Sequence, residues 1–77
     1  MKEIDQSIAK VLREIRESRD ISQEALSFDA GLNRTYIIKF ERGLKAVTVK
    51  TLLKITDALK IEIDEFMKLV NHDRKSL

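Results

Sequence analysis

Arg34, Thr35, Tyr36 and Lys39 bring together, within one short stretch, the side-chain chemistries that read the edges of base pairs. A guanidinium pairs bidentately with guanine O6 and N7, and a threonine offers a methyl to thymine and a hydroxyl to a base or a phosphate. Tyr36 and Lys39 extend the same reach, through a phenol and an ammonium about one helical turn apart. Arg34 falls at the expected start of a helix, where the macrodipole disfavours a cation, and contact with a base supplies a reason for it to be there. Catalytic chemistry finds no comparable set. The chain has no Cys and a single His, His72, near its end. It has no glycine-rich phosphate loop, and its carboxylates are scattered over charged helical faces. The expectation is therefore a protein that is not an enzyme, with no metal, no cofactor and no small-molecule ligand.

Those side chains need a rigid mount, and the stretch Gln23–Gly43, QEALSFDAGLNRTYIIKFERG, supplies one. Leu26 and Ala30, with Ala25, give a first short helix its apolar stripe, and Gly31 ends it by accepting positive φ. Leu32 fills the corner and Asn33 caps the next helix. On that second helix Ile37, Phe40 and Glu41 share one face, while Arg34, Thr35, Ile38 and Lys39 spread over the outer side, and Gly43 closes it. Two short helices crossing at a glycine form a helix-turn-helix, whose second helix enters a DNA major groove. Any αα-hairpin in a bundle would show the same apolar positions and Gly31. The polar outer face of the second helix favours DNA over that plainer reading.

The 77 residues suffice for one domain, read as 1–77 with its core at about 7–70. With no proline and little apolar patterning at period two, the fold is expected to be all-α, a compact five-helix domain. Residues 1–6 read as a loose lead-in. Ile4, Ile8, Val11, Leu12 and Ile15 then set out an amphipathic helix ending near Arg19, with Ser7 as its cap unless the helix begins earlier, at Ile4. Ser22 caps the second helix and Thr48 the fourth, whose buried side is expected to be Val49, Leu52, Leu53, Ile55, Ala58 and Leu59. Lys60 suits the C-terminal dipole. A fifth helix starts near Ile63, and 71–77 are expected to fray as a flexible tail. No apolar run approaches a membrane span or a signal-peptide core, so a cytoplasmic location is the default.

Charge adds to this picture. The formal net charge is only +2, yet the twenty residues from Gly31 to Lys50 carry Arg34, Lys39, Arg42, Lys45 and Lys50 against Glu41 alone, a local +4. Such a focus is the footprint that a phosphate backbone calls for, and Arg42, Lys45 and Lys50 are expected to neutralise phosphates. The last helix carries a different excess. Ile61, Ile63, Phe66, Met67, Leu69 and Val70 are more apolar residues than one short helix can hide. A two-fold homodimer through Ile61, Ile63, Phe66, Met67 and Val70 would bury them and set two recognition helices about one turn of DNA apart, roughly 34 Å.

Ser22-Gln23, Leu26, Ala30-Gly31-Leu32, Ile37, Glu41 and Gly43, followed by Thr48, Leu52, Ile55, Ala58 and Leu59, resemble the lambda-repressor/Cro (XRE-type) helix-turn-helix family over roughly residues 8–70. Within it, LNRTYIIKFERG followed by VTVKTLLKI is similar to the controller proteins of bacterial restriction-modification systems. That resemblance implies a small dimeric transcriptional regulator that binds a palindromic double-stranded operator and controls its own gene and the endonuclease gene. Prophage-type repressors and antitoxins of toxin-antitoxin pairs use the same fold and are the alternatives. The resemblance also implies that Ser22 and Gln23 abut a phosphate at the second helix's N-terminus, with Asn33 a further phosphate contact, and that Arg16 and Glu41 form a structural ion pair. Ile38, Ala46, Val47 and Ser27 depart from the usual family residues, two of them near the expected DNA surface, so the operator sequence is not carried over from any relative.

Overall fold

The computed structural model describes residues 3–76, which form five helices: α1 Ile4–Ser18, α2 Gln23–Ala30, α3 Arg34–Glu41, α4 Val49–Leu59 and α5 Ile63–Lys75. Each of the three middle helices opens on a side-chain cap. Ser22 Oγ accepts from the Ala25 N–H at 3.0 Å, Asn33 Oδ1 from the Thr35 N–H at 2.7 Å, and Thr48 Oγ1 from the Thr51 N–H at 3.1 Å. These bonds satisfy donors that a helix start otherwise leaves open. Gly31 ends α2 at φ 68°, and Leu32 N–H returns to the Ser27 carbonyl at 2.8 Å, tightening the corner into α3.

Leu12, Leu26, Ile37, Phe40, Ile55, Leu59, Phe66 and Val70 are at most 2% exposed and meet in one core to which all five helices contribute. Burying each such side chain is worth about 1.5–3 kcal/mol. α5 lies chiefly along α1, and α2 packs on α3 and α4, so the helix-turn-helix sits on one side of a scaffold whose other side is the α1–α5 pair. The molecule measures 33 × 23 × 23 Å. Among the described residues no helix is long and apolar enough to cross a membrane.

Several expectations are corrected. α1 starts at Ile4, so residues 4–6 belong to a helix rather than to a lead-in; residues 1–2 lie outside the described residues. Ser7 lies inside the helix, fully buried, and is not its cap. Val49 and Leu53 are 73% and 41% exposed; the space beneath α4 is filled instead by Leu52, Ile55, Leu59 and the buried Thr56, whose hydroxyl donates to the Leu53 carbonyl. Lys60 stands at the end of α4 as expected, and takes the left-handed conformation there, at φ 60°. Residues 71–75 do not fray: α5 continues through them, tied back by the Lys10–Asp73 ion pair at 3.0 Å, while Leu77 lies outside the described residues. Ile61, Phe66 and Val70, expected at a dimer interface, are 8%, 0% and 0% exposed and are already consumed by the protomer's own core.

Candidate nucleic-acid interface

Glu41 fixes how α3 is presented. Its carboxylate is buried at the end of the helix and receives three donors: Arg16 Nε at 2.6 Å, Arg16 Nη2 at 3.0 Å and Gln23 Nε2 at 3.2 Å. Arg16 Nη1 donates as well to the Ile21 carbonyl at 2.7 Å. One carboxylate thus joins α1, the first residue of α2 and the last of α3. The hydrogen bond to Glu41 raises the Arg16 pKa above its ordinary value; partial burial acts the other way, and the charges of Glu41 and Glu17 add to the rise. Ile37 and Phe40 anchor the same face of α3 in the core, at 0% and 2% exposure.

With that face pinned, the other side turns outward. Arg34, Thr35 and Lys39 are exposed, as are Asn33, Arg42, Lys45 and Lys50, so all five cations of the basic stretch stand in solvent. Thr35 and Lys39 are one turn apart on α3, and Arg34 stands beside them at the helix start. Arg34 Nη1 lies 3.9 Å from Glu24 Oε2 on α2, an exposed pair that leaves the guanidinium accessible. Ser22 and Gln23 lie at the α2 N-terminus. The Ser22 hydroxyl oxygen accepts in the cap and one Gln23 amide N–H donates to Glu41, so a phosphate there would meet first-turn backbone N–H groups together with the Ser22 O–H and the second Gln23 N–H.

Tyr36 differs from its neighbours. It is half-buried against the core rather than fully outward, with its ring 6.1 Å from that of Phe40 at a 46° tilt. The Lys45 ammonium lies 4.9 Å from the centre of the same ring. The Phe40 contact was readable, because i and i+4 side chains meet on a helix. The Lys45 contact crosses a loop, and no local spacing announces it. Nor did spacing announce the Gln23–Glu41 bond, which depends on the crossing of α2 and α3.

A helix-turn-helix family model matches residues 12–66, from the middle of α1 into α5. The chain belongs to this helix-turn-helix family. Among its relatives, the control protein C.BamHI of Bacillus amyloliquefaciens is 42% identical over 52 residues, 66% of this chain and 64% of that protein, just under two thirds of the relative's length. The control protein C.SmaI of Serratia marcescens is 34% identical over 65 residues, 84% of this chain and 77% of that protein. A crystal structure of the restriction-modification controller protein C.Esp1396I, a tetramer in complex with its natural 35 base-pair operator, aligns with a TM-score of 0.91 at 25% identity, covering 99% of this chain and 100% of that one. The helix-turn-helix thus rests on a scaffold shared from end to end with a DNA-bound relative.

Proposed function

We propose that this helix-turn-helix protein is a sequence-specific, DNA-binding transcriptional regulator of the restriction-modification controller type, acting without catalysis in the compartment that holds the cell's DNA. The observation that carries the reading is the exposed row Arg34, Thr35 and Lys39 on a helix whose opposite face is held by Glu41 and the core, with Arg42, Lys45 and Lys50 exposed beside it. Arg34, Thr35, Tyr36 and Lys39 meet base edges in this reading. Arg42, Lys45, Lys50, Asn33 and the α2 N-terminus at Ser22 and Gln23 meet phosphates, which position the helix but carry no sequence information. Two copies related by a two-fold axis read a palindrome. The surface that suits that axis is Ile63 and Met67 on α5 with Ile4 of α1, Ile4 being 46% exposed; Leu69 of α5, 45% exposed, also stays outside the core. That C.Esp1396I is seen as a tetramer on its operator supports self-association on DNA.

The test is a gel-shift titration on the DNA upstream of its own gene, against random duplex, at several salt concentrations. The wild type shifts the upstream fragment selectively, and the shift weakens steeply with salt. Arg34→Ala removes about 1–3 kcal/mol of preference for the upstream fragment. Lys50→Ala weakens both duplexes alike and lowers the salt slope by about one unit. Undiminished discrimination in Arg34→Ala would refute the base-reading assignment, and equal affinity of the wild type for both duplexes would refute the regulator itself.

A further inference from the structure

The α3–α4 loop leaves α3 through two backbone bonds, Gly43 N–H to the Phe40 carbonyl at 2.9 Å and Leu44 N–H to the Lys39 carbonyl at 3.0 Å. Beyond Leu44 it has no backbone bond before Thr48 among the described residues, and no carboxylate there pairs with Lys45. What the Lys45 ammonium does have is the face of Tyr36, at 4.9 Å from the ring centre. Tyr36 in turn rests on Phe40, which is 2% exposed and does not move without disturbing the core. A loop cation, a recognition-helix aromatic and a core aromatic therefore form one connected row.

Resting on the regulator reading above, we propose that Lys45 is a positioning residue for Tyr36, and that the pair works as a latch which the phosphate backbone opens. In the free protein the ammonium over the ring holds the phenol in one orientation and keeps the end of the loop that lacks backbone bonds beside α3. A phosphate oxygen carries a full negative charge and accepts a charge-assisted hydrogen bond, whereas a ring face offers only its quadrupole. When α3 enters a groove, the backbone outcompetes the ring. Lys45 leaves Tyr36 for a phosphate, and the phenol becomes free to settle against the base edge or sugar before it. Phosphate capture and the release of a base-reading side chain are then one event. Loss of the Lys45 charge consequently changes Tyr36 in the absence of DNA, which a simple phosphate contact would not do.

Tyr36 is the chain's single tyrosine and there is no tryptophan, so its ring signals are unambiguous. Proton NMR of the full chain reads the latch directly. In the free protein the ε-methylene protons of Lys45 are expected upfield of those of the other lysines through the ring current of Tyr36. Tyr36→Leu returns them to the common position, whereas Tyr36→Phe leaves them shifted. Lys45→Met moves the Tyr36 ring resonances and Lys45→Arg largely restores them. Adding the upstream duplex returns the Lys45 protons to the common position while the Tyr36 ring resonances shift. Unshifted Lys45 protons in the free protein would overturn the latch, and an upfield shift that persists in the DNA complex would overturn its release. If no duplex binds, the regulator reading fails on its own, while the spectrum of the free protein still decides whether the latch exists.

Discussion

Glu41 is the residue on which the presentation of α3 turns, since one carboxylate is held by donors from α1 and α2. Removing it leaves the Arg16 guanidinium, whose side chain is 11% exposed, without its counter-charge. Loss of one partner from a buried pair costs about 3–5 kcal/mol. Glu41→Ala is therefore expected to lose about that much in chemical denaturation, with operator discrimination weakening as α3 loosens; an unchanged denaturation midpoint would contradict the role. The Arg16 side of the pair makes no demand on pH. Its folded-state pKa is raised, so its contribution is fully present below the unfolded value and is lost only as pH rises through the higher folded one, beyond the neutral range. Ser7 makes the opposite case. Its hydroxyl is fully buried without a hydrogen-bond partner among the described residues, and an unsatisfied buried polar group costs roughly 1–3 kcal/mol. Ser7→Ala should raise the melting temperature, and a fall would reveal a bond to that hydroxyl. The outward residues of α3 were legible because the alternation of core and polar positions around a helix decides them. Tyr36 was half legible: its i+4 partner Phe40 is in the sequence, but Lys45 reaches it only through the path of a loop.

The helices were read well where a local signal marks the boundary and poorly where tertiary contacts do. Ser22, Asn33 and Thr48 cap their helices through their own side chains, and Gly31 ends α2 in a conformation that suits glycine. Lys60 ends α4 in that same left-handed conformation, at φ 60°, without the composition that announces it. A non-glycine residue held there costs roughly 1–2 kcal/mol, so Lys60→Gly is expected to stabilise the fold by about 1 kcal/mol, read as a higher denaturant midpoint with an unchanged slope. A lower midpoint would mean that the Lys60 side chain holds something the backbone does not. Gly31→Ala should lose a similar amount, purely as backbone strain, because a Cβ there meets nothing within 4 Å. The far end of α5, like the conformation of Lys60, carries no local signal that announces it. Asn71–Lys75 look like a polar tail, yet Asp73 reaches Lys10 on α1, and cations in the last turn suit the helix dipole. Val49 and Leu53 show the converse, apolar residues at helical core spacing that stay 73% and 41% exposed.

At the scale of the whole molecule, three of the six apolar residues around α5 turn into the protomer. Ile61, Phe66 and Val70 close the protomer's own core; outside it remain Leu69, 45% exposed, and a shallow concavity between α1 and α5 lined by Ile4, Asp64, Met67, Lys68, Asn71 and Arg74. It is apolar at its centre and carries both signs of charge at its edge, the composition of a small interface with a hydrophobic middle and a polar rim. A two-fold axis through it brings Met67 near its own symmetry mate, so a charge placed there faces a like charge across the axis. Met67→Glu is accordingly expected to sediment as a monomer while keeping its helical circular dichroism. Ile4→Glu, at a more exposed position, repeats the test with less risk to the core. Either variant should still bind a half-site weakly, but should lose the steep concentration dependence with which two linked recognition helices occupy a palindrome. A dimer that survives both substitutions would move the axis elsewhere on the molecule. A wild type that is monomeric at micromolar concentration and still binds a palindrome cooperatively would mean that the DNA, rather than α5, assembles the pair.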